Sequence, residues 1–192
     1  APSPDLNDLD IALPVYFTLP SLHDGETIRA LILFPPRFSR SEVEKMLSGE
    51  PAGHQGEKLP AIISVHGGGY SQSVTMSWRW RTLFDTYLVN CRDYIGLDLD
   101  YRGSSGYGRD WRTDVYLDIG ISDLEDEISG LEMLKTLPAV DPERIGIWGW
   151  SYGGYMTTLA LLKKPEAFKA GAAVAPVNKW QNYDTHYTEE RL

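Results

Sequence analysis

The chain has 192 residues, with 18 Lys and Arg against 27 Asp and Glu, and a formal charge of −9; this excludes an electrostatic nucleic-acid binder, which needs a basic face to displace counterions from phosphate. A hydrophobic share of 42%, with 23% charged and 11% aromatic residues, excludes a disordered chain and predicts a packed core the size of one domain or part of a larger one. The single cysteine, Cys91, excludes an intramolecular disulfide and a CxxC metal site.

No run approaches the roughly 18 apolar residues that span a bilayer; Leu31–Phe34 is flanked by Arg29 and by Pro35-Pro36. Ala1-Pro2-Ser3-Pro4 has neither the basic start nor the apolar stretch of a signal peptide. The chain therefore reads as soluble, in a cytoplasmic, periplasmic or secreted setting, with no membrane segment and no nucleic-acid partner.

In chain order, residues 1–10 lack periodicity and form a lead-in. Pro14–Leu19 and Thr27–Phe34 are β-rich runs around the turn formers His23-Asp24-Gly25, which predicts an antiparallel hairpin. Pro35-Pro36 stops the second strand, since proline cannot donate to a ladder. Residues 37–59 are polar and glycine-containing, a surface loop with one helical turn at Ser41–Leu47.

From residue 60 short apolar runs alternate with helical stretches. Pro60–Val65 predicts a buried strand, and Trp78–Asn90 a helix whose apolar stripe is Trp80, Leu83, Phe84, Tyr87 and Leu88. Tyr94–Leu99 predicts a strand running into the glycine-rich Arg102–Gly108. Ser122-Asp123-Leu124-Glu125 has the pattern of a capping box, opening a helix with Leu124, Ile128, Leu131, Leu134 and Leu137 on one face. A strand at Arg144–Trp148, a helix at Tyr152–Lys163 and a strand at Phe168–Val174 follow. Strand and helix in alternation predict an α/β fold: a mostly parallel sheet covered on both faces, with the first hairpin as an antiparallel edge.

The motif that carries chemistry is Gly149-Trp150-Ser151-Tyr152-Gly153-Gly154, lying between a predicted strand and a predicted helix. G-x-S-x-G in that context is the nucleophile elbow of α/β-hydrolases, in which a strained turn aims the serine hydroxyl outward. The helix after Ser151 directs free N–H groups at an oxyanion formed there. His66-Gly67-Gly68-Gly69-Tyr70 follows the first buried strand, where this fold places an oxyanion-hole loop. It lacks the Lys and Ser/Thr ending of a P-loop.

These segments resemble the prolyl oligopeptidase family of serine peptidases, most closely its dipeptidyl peptidase IV-like and acylaminoacyl peptidase-like branches. Arg144–Tyr155 is similar to that family's nucleophile segment, Asp100–Gly108 to its Asp-x-Arg-Gly-Ser loop, and Val174-Ala175-Pro176-Val177 to the strand after the nucleophile helix. The resemblance implies the α/β-hydrolase fold, Ser151 as nucleophile and the Tyr152 N–H as one oxyanion donor. It also implies that Val177, Trp180, Tyr183 and Tyr187, with the Tyr152 ring, line the S1 pocket of a peptidase cutting after proline or small apolar residues. Spacing alone favours reading Trp180, Tyr183 and Tyr187 as helix packing. His-Gly-Gly is closer to the acylaminoacyl peptidase pattern, which implies the Gly68 N–H as second donor. That pattern continues with proline where this chain has Gly69, and the dipeptidyl peptidase IV-like branch has a tyrosine at His66. No cofactor or metal is called for.

The triad on this fold runs Ser, then Asp or Glu, then His, and only 41 residues follow Ser151. His186, with Asp184 and Glu189, lies in the aromatic segment without the two further strands that the geometry needs. The expectation is therefore residues 1–192 as the N-terminal portion of a catalytic domain. A β-propeller, the last strands, the acid and the base would lie outside it, and the isolated chain would be inactive. Two rivals stand beside this reading: a carboxylesterase or lipase, in which His-Gly-Gly-Gly also occurs, and a non-catalytic interaction domain on the same fold.

Overall fold

In the computed structural model, which describes residues 11–51, 54, 56–77 and 80–191, the first two β-rich runs pair as the Asp-Gly turn predicts. Strands β1 (Val15–Pro20) and β2 (Thr27–Leu33) are antiparallel, with Val15 opposite Ile32 and Pro20 opposite Thr27. Gly25, at φ +84°, makes the turn. β2 then pairs antiparallel with β4 (Ile95–Asp100). From there β3 (Leu59–Val65), β5 (Val140–Trp150) and β6 (Ala170–Val174) join in parallel, giving the order β1-β2-β4-β3-β5-β6. The lead-in predicted for residues 1–10, and Trp78 at the start of the second predicted helix, lie outside the described residues.

Register sorts the two faces of the sheet. Ile63 lies beside Leu97 and Ile147, and the next row is Ser64, Asp98 and Trp148, so successive rows point to opposite sides. The aliphatic row meets α4 (Ser122–Thr136) and α5 (Tyr152–Lys163). All five leucine and isoleucine positions predicted for the α4 face, Leu124, Ile128, Leu131, Leu134 and Leu137, are buried. Gly130 lets that helix lie close to Leu97 and Leu99, where a Cβ would sit 2.5 Å from Leu99 Cδ1.

Two sequence-based expectations are corrected. First, α2 (Trp80–Arg92) turns Asp85 and Val89 inward, while Leu83, Phe84 and Tyr87 of the predicted stripe are exposed. Asp85 is inside because it accepts from Ser64 Oγ at 2.6 Å and from the Trp148 indole at 3.2 Å. Second, Ser122 and Glu125 form no capping box: Ile121 is the N-cap, with no side-chain cap. A capping box does form at Ser39 and Glu42, opening α1 (Arg40–Leu47), which is longer than the single turn predicted. A short α3 (Arg109–Thr113), which no periodicity announces, follows the glycine-rich Arg102–Gly108. Asp100 stands two residues before Arg102 without pairing with it.

Asp100 instead accepts from the Ser73 and Val74 N–H groups at 2.7 and 3.1 Å and from the Tyr107 hydroxyl at 2.5 Å, ordering the loop after β3. Arg102, 1% exposed, reaches Asp24, Asp114 and Asp126 at 2.7–3.0 Å. One guanidinium thus ties the hairpin turn to the loop after β4 and to α4. Its hydrogen bonds hold the Asp24 carboxyl down at about 2. A carboxyl depressed in the folded state stabilises above its unfolded value near 4 and ceases to as pH falls through its folded one. The difference in urea midpoint between wild type and Asp24→Asn should therefore be full at pH 5 and shrink toward pH 2.5; an equal difference at both would remove Asp24 as a source of acid sensitivity.

Candidate active site

Ser151 is the one residue between β5 and α5, and it sits at φ 60°, ψ −117°, a conformation that a non-glycine residue holds only when its surroundings impose it. Four backbone fits impose it here. The Ser151 N–H donates to the Val174 carbonyl of β6 at 2.9 Å, and its carbonyl accepts from the Tyr155 N–H at 2.9 Å. A Cβ at Gly149 would lie 2.4 Å from Gly153 C and O, and one at Gly153 would lie 2.2 Å from the Val65 carbonyl of β3. The turn is wedged between β3 and β6. Among the described residues Ser151 Oγ has no hydrogen-bond partner, and Ser151 lines a cavity of about 500 Å³ with His66, Gly67, Trp150 and Asp98.

The loop after β3 passes directly over this turn. A Cβ at Gly67 would lie 2.9 Å from the Trp150 carbonyl and 3.6 Å from Ser151 Cβ, so glycine is what lets the two backbones meet. Gly68 and Gly69, at φ +76° and +60°, then fold the loop back onto the Tyr152 ring, which lies 3.5 Å from a Cβ placed on Gly69. His66 orders the loop from beneath. It is 2% exposed, its Nε2 is 2.9 Å from Ser104 Oγ, its Nδ1 is 3.0 Å from the Gly67 carbonyl, and its ring stacks on Tyr101 at 4.2 Å.

The aromatic residues form one cluster. After β6, Val177 is buried, a 3₁₀ turn spans Trp180–Asn182, and α6 (Thr185–Arg191) follows. Trp180 stacks on Tyr187 at 6.1 Å and 3°, meets Tyr183 edge-on at 6.3 Å, and faces Tyr152 at 6.1 Å. The Tyr187 hydroxyl donates to the Gly68 carbonyl at 3.1 Å, joining the cluster to the glycine loop. Tyr152, Tyr187, Gly68 and Gly69 line a second cavity of about 250 Å³; Trp180, Tyr183 and Val177 do not line it, and Trp180 meets its wall through Tyr187 and Tyr152.

Three residues escaped the sequence reading. Gly67, beside Gly68, makes the closest approach to Ser151 and was hidden in a run of three glycines. Tyr155, one turn after Tyr152, packs on Trp180 at 5.4 Å; helical spacing from Tyr152 was the available signal. Asp123 binds the Tyr152 hydroxyl and was taken up by the apparent capping box. The four histidines are all placed: His23 in the hairpin turn, His54 against Phe38 at 5.4 Å, His66 in its buried network, and His186 exposed on α6. Asp184 caps α6, accepting from the Tyr187 N–H at 2.8 Å.

Residues 80–192 match the prolyl oligopeptidase family. The chain belongs to that family. Pig dipeptidyl peptidase 4 is 35% identical over 161 residues, 84% of this chain and 19% of that protein. Among solved structures, Porphyromonas gingivalis dipeptidyl peptidase 4 superposes with a TM-score of 0.76 at 32% identity, over 94% of this chain and 23% of the other. Pyrococcus horikoshii acylaminoacyl peptidase does so with a TM-score of 0.71 at 28% identity, over 91% and 25%. The prolyl oligopeptidase match contains both the elbow and the aromatic cluster, and the solved relatives superpose over more than nine-tenths of the chain. The chain spans about a fifth to a quarter of the length of these relatives. Among the described residues no helix is long and apolar enough to cross a membrane.

Proposed function

We propose that this chain carries the nucleophile, the oxyanion loop and the P1 wall of a serine peptidase that cuts after proline or small apolar residues. The observation that carries the reading is Ser151, strained at φ 60° between β5 and α5 with the glycine loop packed on it. Ser151 Oγ attacks the peptide carbonyl and gives its proton to a general base. The carbonyl oxygen, now negative, receives hydrogen bonds from the N–H groups of Tyr152 and Gly68. The intermediate collapses as the base returns the proton to the leaving amine, and water then frees the acyl group from Ser151.

None of the four histidines is hydrogen-bonded to Ser151, so we place the base and its carboxylate outside these residues. The exposed surface supports this. β6 is exposed over Ala170–Ala173, a cavity of about 390 Å³ runs along Ile62, Trp148, Ala170 and Ala172, and Leu83, Phe84 and Tyr87 of α2 are uncovered. We read that face as the seat of the remainder of a longer enzyme, consistent with the length of the relatives. Family membership weighs against an esterase, and the intact elbow against a purely structural domain.

The test uses a fluorophosphonate and an Xaa-Pro-nitroanilide. The full-length protein should be labelled at Ser151 and release nitroaniline, whereas the 192-residue chain should do neither; labelling of the short chain would place a base within it. For the P1 wall, Trp180→Ala in the full-length enzyme should lower kcat/KM about 10-fold for a proline substrate, chiefly through KM, since Trp180 backs the Tyr152 and Tyr187 rings of the wall and an aromatic wall serves ground state and transition state alike. A proline kcat/KM within twofold of wild type would assign Trp180 to packing alone.

A further inference from the structure

Tyr152 is held at its far end by a buried acid that the reaction above does not use. Asp123, fully buried at the start of α4, accepts from the Gly120 and Leu124 N–H groups at 2.8 and 2.9 Å through Oδ1, and from the Tyr152 hydroxyl through Oδ2. One oxygen locks the carboxylate to its own helix, leaving the other aimed at α5. A buried charge is costly unless it is well bound, and the Oδ2 of this one has the Tyr152 phenol as its donor.

That phenol belongs to a ring that touches every part of the site. Tyr152 is 3% exposed. Gly69 of the glycine loop lies against one part of the ring, Tyr101 stacks at 6.2 Å, and Trp180 and Tyr155 close the remaining sides at 6.1 and 5.5 Å. With the ring walled and its hydroxyl tied, the Tyr152 backbone cannot twist about its own side chain. The residue before it is the strained Ser151, which persists only while its neighbours over-determine it.

We propose that Asp123 is a positioning residue of the elbow: by holding the Tyr152 hydroxyl it fixes the Tyr152 N–H at the place where the oxyanion forms. This rests on Ser151 as nucleophile and the Tyr152 N–H as donor. Burial pushes the Asp123 carboxyl up to about 6, against the hydrogen bonds from Tyr152, Leu124 and Gly120. The other titratable groups around it are Asp126 on α4, which pairs with Arg102, Tyr101 from the loop after β4, and Tyr155 and Lys163 on α5; Lys163 donates to the Gly120 carbonyl at 2.9 Å. Above about pH 6 the carboxylate accepts from the phenol, and below it the neutral acid holds the phenol less firmly.

The experiment compares full-length wild type with Asp123→Asn, Tyr152→Phe and the double variant, each checked for folding by thermal melting. If Asp123 acts through Tyr152, either single change lowers kcat about tenfold with KM within twofold, and the double variant is no slower than the slower single. The loss is equal for proline and alanine at P1, because an oxyanion donor does not read the side chain. The ratio of wild type to Asp123→Asn falls toward one below pH 6, as wild type protonates. Additive losses, unchanged kcat, or a loss confined to proline would overturn the proposal. Should Asp123→Asn not fold, the kcat and P1 pattern of Tyr152→Phe decides. Should full-length wild type neither cleave nor take the fluorophosphonate, the nucleophile reading fails, and crystal structures decide Asp123 separately. A displaced Tyr152 ring and Ser151 in Asp123→Asn would support positioning, and an unmoved pair would refute it.

Discussion

Replacing Ser151 by Ala in the full-length enzyme is expected to lower kcat by about 10⁴-fold or more, abolish fluorophosphonate labelling, and leave KM for an Xaa-Pro substrate within about twofold. Removing the nucleophile deletes the covalent path but leaves the oxyanion donors and the P1 wall. Because alanine keeps the Cβ at φ 60°, the backbone strain stays and the melting temperature should barely move. Glycine at the same position provides the contrast. Ser151→Gly should be equally inactive yet more stable by about 1 kcal/mol, since holding a side chain in such a conformation costs on the order of 1–3 kcal/mol. Residual hydrolysis above about a hundredth of wild type in Ser151→Ala would move the nucleophile elsewhere.

Much of this site is legible in sequence because its demands are local. A strand, a glycine-flanked serine and a helix must follow one another for the elbow to exist, and the order of residues states that directly. The buried parallel strand β3, Leu59–Val65, reads as a nearly continuous apolar run for the same reason. The inward face of α2 is not legible, because what draws Asp85 inside is Ser64 and Trp148, 21 and 63 residues away. A hydrophobic period sees only the exposed Leu83, Phe84 and Tyr87 and assigns them the core. The partners of Arg102 are hidden in the same way, since Asp126 and Asp24 lie 24 and 78 residues off. Asp123 lies inside the apparent capping box of Ser122 and Glu125, and only the fold reveals the phenol 29 residues away. Residues whose role lies in a distant partner are the ones that the chain order hides.

Gly153→Ala is expected to lower stability by about 3–5 kcal/mol and to slow Ser151 labelling of the full-length enzyme at least about 100-fold. The added Cβ would lie 2.2 Å from the Val65 carbonyl and 2.9 Å from that of His66. Both obstacles are main chain, so no rotamer relieves the clash, and the cost exceeds the 1–3 kcal/mol typical of overpacking among side chains. Relief requires α5 to move off β3 by about 1 Å, the extent of a tight contact. Such a movement carries Ser151 away from His66, Gly67 and Gly68, which continue directly from β3, and a misplacement of that size costs about 100-fold in rate. Gly108 separates this effect from the general cost of losing a glycine. At φ +96° and ψ 173° it has nothing within 4 Å of a built Cβ, so Gly108→Ala bears backbone strain alone, about 1–3 kcal/mol, and should leave labelling unchanged. Equal losses in the two variants would mean that the elbow needs glycine for its backbone freedom and not for the approach of β3.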